Sequence, residues 1–173
     1  MPKPALIIGL LLVASPALLS QDRGAAFAMN ERLGRGINLG NTFEAPTETA
    51  WGNSYNPEYF AMMAELGFRH VRIPVRWETP ERSLEEPPYT IEPDFFDRIE
   101  EVVAEALAND LIVIINMHHH KALYADPEGQ RDRFLAQWTQ IAHTFRNHPE
   151  TVLFEILNEP HDNGINELKD ATA

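Results

Sequence analysis

The sequence predicts an α/β fold built on parallel strands, and three observations predict it. Four short runs rich in Ile and Val recur, with centres at Ile37, Val71, Val113 and Leu153, spaced 34, 42 and 40 residues apart. Segments of helical periodicity separate them. Long loops follow the strands, whereas the returns from helix to strand are short. An order βαβαβαβ requires crossover helices, and therefore parallel strands covered by helices.

The elements follow in chain order. Lys3 precedes the apolar run "ALIIGLLLVA", Ala5 to Ala14, and the small residues "AFA" stand at Ala26 to Ala28. This pattern predicts a secretory signal peptide over residues 1–28 and a mature domain over 29–173, placed outside the cell or in the periplasm. A membrane span needs about 20 apolar residues, and Pro16 interrupts this run, so no membrane attachment is expected after cleavage.

The first strand is read in "RGINLG" (Arg35–Gly40), the second in "HVRIPV" (His70–Val75), the third in "LIVIINM" (Leu111–Met117) and the fourth in "TVLFEIL" (Thr151–Leu157). Each is too short for a helix and bears the β-branched residues of a buried strand. Between the first two, Pro57 to Leu66 predicts a helix with Asn56 as N-cap and Gly67 at its C-terminus. Phe95, Phe96, Ile99, Val102, Val103, Ala106 and Leu107 share one helical face, with Asn109 to end it. Phe134, Trp138, Ile141 and Phe145 mark a third helix.

Composition bounds the function. With 44% hydrophobic and 23% charged residues the chain is globular. A net charge of −12 argues against nucleic acid or an anionic membrane as partner. There is no cysteine, which excludes disulfides and thiolate chemistry.

The loops after the strands lie where parallel α/β proteins place their chemistry. Polar residues collect there: Asn41 and Glu44 after the first strand, Arg72 on the second, His118, His119 and His120 after the third, and Asn158 and Glu159 after the fourth. Singly, each has a structural explanation. Arg72 could pair with Glu155, itself odd inside an apolar strand, and Asn158 could cap a turn. Jointly they line one rim.

Two chemistries compete for this set. A metal site on the histidine run is one, but adjacent strand residues point to opposite faces, and neither an HExxH helix nor a cysteine ligand is present. The other is glycosidic-bond chemistry, with Glu159 as general acid and base among fixed hydrogen-bonding groups. Trp51 and Trp77 would then offer flat apolar surfaces to sugar rings, with loop packing as the alternative role for each.

Four motifs, "RGINLGNTFEAP", "HVRIPVRW", "IINMHHH" and "LFEILNEPH", occur in order from Leu33 to about Leu168. Together they resemble the cellulase family, glycoside hydrolase family 5. The resemblance implies a (β/α)₈ TIM barrel and retaining hydrolysis of β-1,4-linked glucans or mannans; no cofactor or metal is expected. It implies that Glu159 is the acid/base and that Asn158 holds the substrate's 2-hydroxyl. Arg72 would support the nucleophile, His118 and His119 would line the glycone side, and Asn41 and Glu44 would contact substrate.

The resemblance also implies a nucleophilic glutamate on strand seven, whereas only about four βα units are read here. A retaining pair lies about 5 Å apart. Glu155, four residues before Glu159, would be about 13 Å away along a strand. The chain is therefore expected to be the N-terminal half of a barrel, inactive alone and prone to self-association through open sheet edges. A non-catalytic glycan-binding half barrel and a flavodoxin-like domain are the competing readings. The second lacks a Gly-rich phosphate loop after strand one.

Overall fold

The computed structural model describes residues 16–160. The chain divides into two compact units, residues 1–32 and 33–173. In the first, helix α1 (Pro16–Leu33) contains the Ala26–Ala28 stretch. The apolar run of Ala5–Ala14 lies outside the described residues, as do the residues that follow Pro160. Among the described residues no helix is long and apolar enough to cross a membrane.

The second unit is built as β1 (Gly36–Asn38), α2 (Glu58–Glu65), β2 (His70–Ile73), α3 (Pro93–Ala108), β3 (Ile112–Asn116), α4 (Lys121–Ala125), α5 (Arg131–Phe145) and β4 (Val152–Glu155). The four strands form one parallel sheet in the order β1-β2-β3-β4, as the alternation of elements predicts. Ile37 lies beside Val71, Val71 beside Val113, and Val113 beside Val152.

The helix boundaries follow local chemistry. Asn56 Oδ1 accepts the Glu58 N–H at 3.0 Å, and Gly67 takes φ +78° just beyond α2, a conformation that disfavours a side chain. Pro93 opens α3, and Asn109 Nδ2 donates to the Glu105 carbonyl at its end. The five-residue helix α4 is not marked by sequence periodicity. His120 caps it, its Nδ1 accepting the Leu123 N–H at 3.2 Å.

The two faces of the sheet differ. Val71, Ile73, Val113 and Ile115 are fully buried among Phe60, Ile99, Val102, Val103, Ala106 and Ile141, so the core lies between sheet and helices. Alternation places Asn38, His70, Arg72, Ile114, Asn116, Leu153 and Glu155 on the opposite face. Arg72 is aligned with Asn38 and Ile114, and Asn116 with Glu155. This second face is the polar one, and the site is built on it.

Trp77 belongs to the core rather than to a sugar-binding rim. It is fully buried, with its ring 5.4 Å from Phe95 and 5.5 Å from Phe96, and Nε1 donates to the Asn116 carbonyl. Trp51 remains 48% exposed.

Candidate active site

The centre of the polar face is Arg72. Its Nε donates to Glu155 Oε2 and its Nη2 to Glu155 Oε1, both at 2.6 Å, forming a two-pronged ion pair. Nη2 also donates to Asn158 Oδ1 at 2.7 Å, and Nη1 lies 3.5 Å from Asn38 Oδ1. A planar fork can satisfy several acceptors at fixed angles, which an ammonium cannot. One guanidinium on β2 thus holds the end of β4 and the residue three positions beyond it. The hydrogen bonds from Arg72, helped by one from Asn116, keep the Glu155 carboxyl below its ordinary range.

Asn116, fully buried at the end of β3, was not singled out by the sequence, although an amide inside an apolar run is a signal of this kind. Its Oδ1 accepts the Val75 N–H at 3.2 Å, and its Nδ2 lies 3.2 Å from both Glu155 Oε1 and His118 Nδ1. An amide nitrogen only donates, so the neutral His118 accepts at Nδ1 and carries its proton on Nε2. Burial, with His119 and Arg72 nearby, lowers the His118 pKa and favours that neutral form.

The three histidines diverge. His118 and His119 stack edge to face at 4.6 Å, and His119 meets the Trp51 ring at 6.1 Å, also edge to face. Burial and Arg76 lower the His119 pKa. His120 turns into the core as the cap of α4. Among the described residues no three of His, Asp and Glu are grouped so as to hold a metal ion.

The loop after β1 is fastened internally. Asn41 adopts φ +61°, and the Glu44 carboxylate accepts the Asn41 N–H at 2.5 Å and the Thr42 N–H at 3.0 Å. Asn53 Nδ2 adds bonds to the Gly40 carbonyl and the Thr42 hydroxyl. Glu44, only 5% exposed, shapes this loop, and its charge reaches Arg72, His118 and His119. From α3, Arg98 clamps the same loop: its Nε and Nη2 bond Glu48 at 3.1 and 2.7 Å, and the guanidinium lies over the Phe43 and Tyr55 rings.

Strand β4 stops at Glu155, so Asn158 and Glu159 stand on the turn beyond it. The Asn158 N–H donates to the Met117 carbonyl at 2.9 Å, continuing the β3–β4 pairing. Tyr124 Oη lies 2.7 Å from the Asn158 carbonyl and 3.2 Å from that of His118, tying the ends of β3 and β4 together. With Oδ1 occupied by Arg72, the Asn158 amide keeps Nδ2 as a donor. Glu159 takes φ +38°, and its charge bears on Arg72, His119 and Tyr124. The Arg72, His118, His119, Asn158 and Glu159 side chains and the Glu44 carboxylate therefore share one electrostatic neighbourhood. Tyr124, which joins the strand ends, was not anticipated.

Residues 34–172 match the family described as cellulase, glycosyl hydrolase family 5. The chain is 43% identical over 144 residues to endoglucanase H of Acetivibrio thermocellus, covering 83% of this chain and 16% of that protein. It is 37% identical over 167 residues to endoglucanase B of Paenibacillus lautus, covering 90% and 29%. Among solved structures, Thermotoga maritima Cel5A in complex with cellobiose matches at 49% identity and a TM-score of 0.77, over 83% of this chain and 47% of that one. Its complex with mannotriose matches at 48% and the same score. The chain spans about half of these structures' length and under a third of those two curated relatives. Its four parallel strands are part of a (β/α)₈ barrel, and the chain belongs to the cellulase family, glycosyl hydrolase family 5.

Proposed function

We propose that this chain carries the acid/base half of a secreted, retaining endo-β-1,4-glucanase, with Glu159 as the general acid/base. The observation that carries the reading is the Arg72 fork, which grips Glu155 and Asn158 at once and fixes the turn bearing Glu159. Glycosidic cleavage needs a proton at the departing oxygen and its removal from water afterwards, so the acid must be held and not mobile. Asn158 Nδ2 and the His118 Nε2–H are donors suited to sugar hydroxyls. Asn41 and Glu44 complete the substrate-facing rim, and exposed Trp51 offers a platform for a ring.

The substrate class is a β-linked polysaccharide. Relatives named endoglucanases support glucan, and the mannotriose complex of Thermotoga maritima Cel5A supports mannan as a second class.

In this reading residues 1–173 alone do not turn over. Retaining hydrolysis needs a second carboxylate about 5 Å from the first, able to attack carbon. The best-placed described carboxylates are engaged: Glu155 by Arg72, Glu44 by backbone N–H groups, and Glu78 by Arg76 at 2.9 and 3.0 Å. The test is a chimera joining residues 29–160 to the second half of Thermotoga maritima Cel5A, assayed for reducing ends on soluble β-1,4-glucan. The chimera should be active, Glu159→Gln should lower its kcat by roughly 10²–10⁴-fold, and the 173-residue chain alone should be inactive. A folded chimera whose activity survives Glu159→Gln would refute the assignment.

A further inference from the structure

Four buried polar atoms on the β2–α3 loop, the head of α4 and α5 have no hydrogen-bond partner among the described residues: Thr79 Oγ1, His120 Nε2, Arg133 Nε and Gln137 Oε1. His120 and Gln137 are fully buried, and Thr79 and Arg133 nearly so. Native proteins rarely leave such atoms unsatisfied.

Their other bonds bring them together. Arg133 and Gln137 lie one helical turn apart on α5. Arg133 Nη2 donates to the Glu78 carbonyl and Gln137 Nε2 to Ser83 Oγ, both at 2.9 Å. Thr79 heads the turn between those anchors, its carbonyl accepting from the Arg82 and Ser83 N–H groups. His120 sits at the head of α4, and the Arg133 charge helps to lower its pKa.

The donor and acceptor types are complementary. The Leu123 N–H donates to His120 Nδ1, so the neutral ring carries its proton on Nε2. His120 Nε2–H and Arg133 Nε–H are therefore two donors without acceptors. Gln137 Oε1 is an acceptor without a donor, and the Thr79 hydroxyl can accept. A water molecule accepts two hydrogen bonds and donates two.

We infer that these atoms line a seam built as a site for one internal water, accepting from His120 and Arg133 and donating to Gln137 and Thr79. An anion would suit the two donors but not the Gln137 carbonyl. The water links the segment bearing His118 and His119 to α5 and to the 79–83 turn. It thereby fixes the backbone that presents those two imidazoles to the polar face.

The test uses the 173-residue chain. A crystal structure should show a solvent peak within about 3.2 Å of His120 Nε2, Arg133 Nε and Gln137 Oε1. In solution, the His120 ring N–H should be observable by NMR, with a water cross-peak of the sign given by a long-lived bound molecule. Direct pairing of His120 Nε2 with Gln137 Oε1, an empty seam, or an anomalous peak there after a bromide soak would each overturn the inference.

Discussion

Acid should destabilise this fold before it protonates the carboxylates, and His120 should be the main reason. Its ring is fully buried, caps α4 through Nδ1, and is pushed down from 6.5 to about 4 by burial and by Arg133. A proton on Nδ1 would remove the acceptor of the Leu123 N–H and place a cation beside a guanidinium. The unfolded chain takes that proton near 6.5, whereas the folded one takes it near 4. Folded-state stability is thus fully present above 6.5 and falls as pH drops towards 4. Linkage gives a loss of about 2 kcal/mol between pH 7 and pH 5, approaching about 3 kcal/mol below pH 4.

Other groups must be separated from this effect. His118 and His119 are also lowered, with the same sign. Glu155 is lowered by Arg72, and its contribution is lost in stronger acid. Glu78 is raised by burial, so it works the other way, favouring the fold at low pH and less so as pH rises through its folded value. His120→Asn isolates the one ring, because an asparagine oxygen can cap α4 as Asn56 caps α2. Urea unfolding of both proteins at pH 7 and pH 5 should show the parent losing about 2 kcal/mol more than the variant. Parallel losses, or a His120 ring titrating near 6.5 by NMR, would refute the argument.

In the active chimera, Arg72→Lys should leave the thermal midpoint nearly unchanged yet lower kcat by about 10²-fold, since one ammonium cannot grip Glu155 and Asn158 together; steady-state kinetics decide. Trp51→Ala should raise KM several-fold with kcat nearly constant, a loss of about 1 kcal/mol of ring contact; an unchanged KM removes Trp51 from the substrate path. Expressed from Met1 in a secreting host, the chain should appear outside the cytoplasm beginning near Met29, as read by mass spectrometry; an intact N-terminus on cytoplasmic protein would refute the export expectation.

The strands and the main helices were legible because their signals are local. Each apolar run and each amphipathic stripe is decided within about fifteen residues; the helix α2 starts one residue later than expected, with Pro57 at its N-cap, Asn56 Oδ1 accepting the Glu58 N–H just before it and Gly67 ending it with a positive φ. Helix α4 was not legible. It is five residues long, too short for a periodic stripe, and its cap is a histidine, a residue whose capping role depends on a tautomer set by burial. Trp77 was ambiguous for a related reason. An indole after a strand suits a sugar platform and a core equally well, and only the position of Phe95 and Phe96 one element later decides for the core.

The polar face shows where local signals end. Arg72 in a β-branched run and Glu155 four residues before Glu159 both announce that an ion inside a sheet needs a partner. What the sequence cannot carry is register. Arg72 is aligned with Ile114 and Ile114 with Leu153, so to meet Glu155 the guanidinium must reach across β3 and towards the C-terminal end of β4. That reach passes Asn116, whose alignment with Glu155 makes it the natural second donor to the same carboxylate. A shift of β4 by one residue would turn Glu155 to the helix side of the sheet, leave Arg72 unpaired and carry the turn bearing Glu159 with it. The ion pair is therefore more than a consequence of the sheet. It penalises a one-residue slip of the strand that leads into the turn bearing Glu159.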